Sequence, residues 1–236
     1  MVAERSVIIH TFEKMKRLFF TLLLIIPYLY VHAQPQLSYD LERQGLKGDI
    51  KKLTEKEYNG TEDSLMWKAV SNYNDSGNQI DYFTYSPNDV LLSKSIFKYN
   101  DTTGKLVDIK RYKADGVLNV RTTYKYDMKG HVIEENNYDP QNTLFMIAKS
   151  RYDMKGNRTV KDCMNEYGIL FLKTNYKYDK HNRDIEEREY DSHHGLKFTT
   201  TYDYGNVDKS GNWRRRTMYK NDVPTSVTIR EIEYEE

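Results

Sequence analysis

One cysteine, Cys163, is all that the chain of 236 residues contains, so no internal disulfide can staple it. Proline is nearly as scarce, with two of its five residues before position 36, which excludes a proline-rich linker or recognition segment. A dominant sign of charge is missing too: 36 Lys and Arg stand against 35 Asp and Glu, leaving no broad field to attract nucleic acid. Only one long apolar run exists, at residues 18–31, and it falls short of the ~20 residues that a spanning helix needs. Glycine-rich phosphate loops, G-x-S-x-G, H-E-x-x-H and C-x-x-C are all absent. The expectation is therefore a non-enzymatic chain with no cofactor and no metal.

The apolar run has a different use. Met15-Lys16-Arg17 precedes it and Val31-His32-Ala33 follows, which is the charged start, short apolar core and small-residue exit of a secretory signal peptide. Cleavage is expected after Ala33 and translation from Met15, with residues 1–14 an upstream extension. The mature chain then carries 32 bases against 33 acids and no transmembrane segment. Its expected address is the periplasm, the cell surface or the medium.

What the chain has in abundance is tyrosine, 21 residues against 8 phenylalanines, and the tyrosines are periodic. Tyr-Lys-Tyr-Asp-Met-Lys-Gly at 124–130 returns as Arg-Tyr-Asp-Met-Lys-Gly-Asn at 151–157 and Tyr-Lys-Tyr-Asp-Lys-His-Asn at 176–182. The phrase-opening tyrosines are Tyr73, Tyr99, Tyr126, Tyr152, Tyr178 and Tyr202, at spacings of 26, 27, 26, 26 and 24. A weaker mark sits half a period later, at Tyr85, Tyr112, Tyr138, Asn165, Tyr190 and Tyr219. Half a period fits one strand plus a short loop, whereas helical repeats need longer units.

Between the marks, residues alternate with period two. Val120, Thr122, Tyr124 and Tyr126 share one face, as do Leu172, Thr174, Tyr176 and Tyr178. In each turn the aspartate accepts a hydrogen bond from the backbone two residues on, and glycine or asparagine supplies a positive φ: Asp127 with Gly130, Asp153 with Gly156, Asp179 with Asn182. Asn59-Gly60 is a further hairpin signal, and residues 41–44 suggest one helical turn. The chain therefore divides into residues 1–33, a lead-in with the first strand at 34–60, and a β-repeat domain at 61–236 whose last repeat, from about 203, is an atypical cap. The fold class expected is all-β: an antiparallel up-and-down hairpin array of about 14 strands, forming a curled, elongated sheet.

These phrases resemble the Tyr-Asp (YD) repeats of the Rhs family of bacterial exported proteins, over roughly residues 73–202. The resemblance implies hairpin arrays, which in the large members form a shell around cargo, and a link to carbohydrate binding. This chain departs from that pattern in its longer unit, and no toxin segment is expected after Glu236. Two functions follow as expectations: a scaffold or interaction module for an unknown protein at the cell envelope, or a carbohydrate-binding module. For the second, Tyr124, Tyr126, Tyr152, Tyr176, Tyr178 and Tyr202 form the candidate binding face, since rings in a row on a sheet can stack on sugars.

Other residues read more simply as structure. Asp191, His193 and His194 share one loop tip, and His131 and His181 sit beside turns without metal spacing. Glu186 and Glu187 point to opposite faces of a strand, unlike a glycosidase pair. Arg214 and Arg216 face one way and Trp213 with Arg215 the other, which suits a cation–π contact or a charged, aggregation-blocking edge. Cys163 reads as a small, half-buried hydrophobe.

Overall fold

The computed structural model describes residues 45–235. The expected signal peptide and the helical turn at 41–44 lie outside the described residues. Fourteen strands follow one another: β1 Ile50–Asn59, β2 Leu65–Tyr73, β3 Gln79–Tyr85, β4 Leu91–Tyr99, β5 Leu106–Lys113, β6 Leu118–Tyr126, β7 Val132–Tyr138, β8 Leu144–Tyr152, β9 Arg158–Asn165, β10 Leu170–Tyr178, β11 Asp184–Asp191, β12 Leu196–Val207, β13 Trp213–Lys220 and β14 Val223–Tyr234. Each pairs antiparallel with its sequence neighbours, and β14 returns to pair with β1. The strand count and the up-and-down order agree with the sequence reading. The sheet, however, does not stay open and curled: it is a closed barrel. The stretch after 203, expected to cap an array, supplies the end of β12 together with β13 and β14, which close on the first strand.

The tyrosines show why the sheet closes. At one end of the barrel the register slips by a β-bulge just before Tyr73, Tyr99, Tyr126, Tyr152 and Tyr178. At the other end it slips before Tyr85, Tyr112, Tyr138, Tyr190 and Tyr219. Bulges increase local right-handed twist and bend the strand, so a sheet bulged at both ends of nearly every hairpin curls steadily until its edges meet. Closure then pairs every edge.

Turns of one geometry join the strands. The NH groups of Gly130, Gly156 and Asn182 donate to the carbonyls of Asp127, Asp153 and Asp179 at 3.2, 3.2 and 3.1 Å, with φ of 90°, 85° and 58°. Their carboxylates also cap the turn: Asp153 Oδ1 accepts from the NH of Lys155 and of Asn157, both at 2.9 Å. At residues 100–105 the cap is Asn100 and the loop is one residue longer than these. One turn differs from the sequence reading. Asn59-Gly60 is not a two-residue hairpin turn: Asn59 caps a loop to Ser64 in which Glu62 takes the left-handed conformation. Gly60 is required there because a Cβ would lie 2.2 Å from the Pro224 carbonyl oxygen.

The closing seam is built from unlike parts. Leu46, Ile50, Leu53 and Tyr73 form a buried apolar cluster with Ile232 and Tyr234 packed on it. Asn212 Nδ2 donates to the Lys47 carbonyl and to the Tyr234 hydroxyl, which in turn donates to Asp208 at 2.6 Å. Higher on the seam Arg230 Nε donates to Glu55 Oε1 at 2.9 Å, with both side chains about 95% buried (5% and 6% exposed).

Candidate functional site: the inner wall

Alternation assigns each side chain to one wall of the barrel, and the two walls differ chemically. The outer wall carries cross-strand ion pairs: Lys52–Glu233, Lys56–Glu231, Lys125–Glu134, Arg151–Asp162 and Lys177–Glu186, at 2.5 to 3.2 Å. Such pairs are worth little in stability, yet they define the solvent the wall accepts. A bilayer-spanning barrel presents an apolar band about 25 Å tall, and each Arg or Lys at its midplane costs about 2–4 kcal/mol. Charged residues also stand on this wall at mid-strand, Lys56, Lys110, Lys173 and Arg188 among them.

The inner wall holds the tyrosines. Tyr99, Tyr126, Tyr152, Tyr178 and Tyr204 donate their hydroxyls to the carbonyls of Gln79, Leu106, Val132, Arg158 and Asp184, always 20 residues back, at 2.7 to 2.9 Å. The residue 21 back packs on the ring: Lys105 on Tyr126, His131 stacked on Tyr152 at 4.6 Å, Arg183 over Tyr204 at 4.7 Å. Each tyrosine thus latches the end of one even-numbered strand to the start of the strand before it. This corrects the sequence reading at one position. The fifth latch is Tyr204, which keeps the 26-residue spacing from Tyr178, whereas Tyr202 aligns with Tyr176 one step further into the barrel. The apparent shortening to 24 comes from counting the wrong tyrosine.

All six residues of the candidate face, Tyr124, Tyr126, Tyr152, Tyr176, Tyr178 and Tyr202, therefore share one wall, but that wall faces inward. Tyr202 is 5% exposed. Burial pushes the hydroxyls of Tyr176, Tyr178 and Tyr202 well above the ordinary tyrosine value. The six structural turn residues, Asp127, Gly130, Asp153, Gly156, Asp179 and Asn182, all lie in the turns at the latched end.

Charged side chains stand between the rings, of which the sequence reading named Glu187 but neither Glu135 nor Lys161. Glu135, Lys161 and Glu187 occupy one position of the repeat at spacings of 26, and aligning the repeats would have revealed them. Lys161 Nζ donates to both oxygens of Glu135 at 3.1 and 3.2 Å, and Arg158 lies 3.6 Å away. Burial pushes the Glu135 carboxyl up, but these two cations outweigh it and hold it below the usual value. Glu187 has no such cation in contact. Burial, then the neighbouring Asp184, raise it, and the Tyr202 hydroxyl donates to it at 3.1 Å. Burial also raises Asp184.

Arg216 turns inward beside Tyr202 and Trp213, at 5.0 and 5.3 Å from the ring centroids, and Arg230 lies 3.4 Å from the Trp213 centroid. Trp213 thus meets Arg216 rather than Arg215, which instead pairs with Glu62 outside at 2.7 Å. The expected charged edge is not there, because β13 is paired on both sides.

The remaining candidates resolve into structure. Asp191 caps its turn through His193 NH and Gly195 NH, and His194 takes the positive φ. Among the described residues no three His, Cys, Asp or Glu are placed to hold a metal. Glu186 and Glu187 do point to opposite walls, Glu186 pairing with Lys177 and Arg188 outside. Cys163 is buried against Ala148 and Leu172, and burial raises its thiol. No described helix is long and apolar enough to cross a membrane.

Fold and walls together define a closed antiparallel barrel with cross-strand ion pairs on its exterior and an aromatic, charged interior. No protein-family model matches the sequence, and no curated protein matches it. Among solved structures it is similar to a porin-like protein from Bacteroides uniformis, at 11% identity and a TM-score of 0.51, over 79% of this chain and 99% of that one. That likeness shows the barrel fold. Weaker likenesses are a DUF1329 family protein from Desulfovibrio piger, at 12% identity and TM-score 0.34 over 79% of this chain and 86% of that one, and TcdB2–TccC3 without its hypervariable C-terminal region. The last has 15% identity and a TM-score of 0.28 over 70% of this chain and 10% of that one.

Proposed function

We propose that this chain is an exported, non-enzymatic β-barrel of the bacterial cell envelope, a small YD-repeat protein that works in water as a scaffold or interaction module. The observation that carries this reading is the outer wall. Lys56, Lys110, Lys173 and Arg188 stand on the outer wall near the middle of their strands, where a membrane barrel would carry aliphatic side chains. The N-terminal segment supports export. A fractionation of cells producing the full chain tests it: the processed protein is expected in the soluble envelope fraction without detergent. Recovery only after detergent extraction of the outer membrane would overturn it.

A carbohydrate-binding role is favoured by one observation, the rings of Tyr124 and Tyr176 on the inner wall with Arg158 over Tyr176 at 4.8 Å. A saccharide would have to enter the barrel to reach them. Glycan-array binding by the wild type that disappears in a Tyr124→Ala/Tyr176→Ala variant would support this role. Binding that survives would exclude it.

A further inference from the structure

The two rims of the barrel use the same turn but different chemistry. At the latched rim the residue after the left-handed position is Asn78, Lys105, His131, Asn157, Arg183 or Asn212, and several of these pack on the tyrosine latches. At the opposite rim the equivalent residues include Val90, Val117, Ile169 and Val223, which are 61%, 53%, 62% and 60% exposed. Turn geometry does not require an aliphatic side chain there, as Thr143 at the same position shows. Exposed β-branched residues on four of the seven turns at one end of the barrel mark a contact surface.

The charges on the turn tips say what covers it. At the aliphatic rim the tips carry Asp89, Asp115, Glu166 and Asp222, all exposed, and these acids outnumber the exposed Lys113 and Lys220 that flank two of the turns. At the latched rim the first two turns carry Asp75 and Asp101, but the tips of the next four carry Lys129, Lys155, Lys180 and Lys209, all exposed, because the aspartates of those turns are spent as caps. Two of these tips also hold Met128 and Met154, fully exposed at 105% and 99%. Acidic tips pushed into hydrocarbon would be costly, so a lipid bilayer is a poor match for the aliphatic rim. Two copies of that rim would repel each other. The surface that offers both lysines and flexible apolar side chains is the latched rim of another copy.

We infer that barrels of this chain stack head to tail, the Met-Lys tips of one copy seated on the acidic, aliphatic rim of the next. Such a contact is heterologous and does not close on itself, so it propagates as a row. The inference stands apart from the proposed envelope role, since stacking is measured on purified protein.

Sedimentation of the mature chain, residues 34–236, over a range of concentrations tests it. The mean mass is expected to climb without a plateau at low salt and to fall at high salt. Lys129→Glu/Lys155→Glu and Asp115→Lys/Glu166→Lys should each weaken association by at least about tenfold. Mixing the two variants should restore it, because each reversed rim then meets a reversed partner. These changes lie on exposed tips, and matching thermal melts confirm that both variants are folded. A monomer at all concentrations, a plateau at dimer, or association indifferent to either charge reversal would overturn the inference.

Discussion

The tyrosine latch shows how much a single side chain does in this barrel. The Tyr152 ring stacks on His131 while its hydroxyl satisfies the Val132 carbonyl at 2.7 Å. Tyr152→Phe keeps the ring and loses the bond, so unfolding in denaturant should cost about 1 kcal/mol less than in the wild type with an unchanged m-value. Glu187 gives a prediction of opposite sign. Its folded pKa is raised, chiefly by burial, so its contribution to stability is full below the unfolded value near 4.3 and is lost as pH rises through the folded value. Glu187→Gln, which still accepts from Tyr202, should match the wild type in thermal melts near pH 4 and exceed it at pH 7.5. A variant less stable than the wild type at pH 7.5 would mean that the carboxylate is held by a cation. Turn aspartates behave conversely: backbone donors hold Asp153 low, so its cap is present above the unfolded value and weakens in acid below it.

At the scale of the hairpin, glycines serve two different needs, and substitution separates them. Gly116 has φ of 82° with no neighbour within 4 Å of a would-be Cβ, so Gly116→Ala bears only the left-handed backbone cost, about 1 kcal/mol. Gly60 lacks a positive φ, but its Cβ would press on the Pro224 backbone. Gly60→Ala must displace one hairpin against another and is expected to cost at least about 2 kcal/mol by the same denaturation measurement. The order of the two costs is the informative result, because ranking the two glycines by turn propensity alone gives Asn59-Gly60 no special penalty. The bulges belong to this scale as well. A tyrosine follows most slips in register at both ends, the β1–β14 and β9–β10 slips excepted, so the tyrosine marks of the sequence are places where the sheet bends.

For the whole molecule, closure places a buried ion pair on the β1–β14 seam. Removing one partner strands the other: Glu55→Ala leaves Arg230 buried and should destabilise by about 3–5 kcal/mol. Replacing both, as Glu55→Leu/Arg230→Met, should recover most of that loss in chemical denaturation. If the double variant is no better than the single one, the contact of Arg230 with Trp213 carries the seam instead. An open sheet would respond differently, since its terminal strands fray independently of the rest.

Periodicity by itself determined the strand count, the up-and-down order and the turn geometry, because Tyr, Asp and Gly recur at positions where local backbone chemistry leaves few choices. The shared face of Tyr124, Tyr126, Tyr152, Tyr176, Tyr178 and Tyr202 was legible for the same reason, since alternation is a local rule. Which side of that face meets water was not. Twist accumulated over many bulges decides whether fourteen strands stay open or close, and closure turned the tyrosine row from an outer surface into an inner wall. The count failed at Tyr204 because three extra residues, Gly205, Asn206 and Val207, separate it from its turn, and only the hydroxyl bond to Asp184 shows which tyrosine fills the latch. The seam of Glu55 with Arg230, joining residues 175 apart, was beyond any local pattern: it exists because the two ends of the sheet meet.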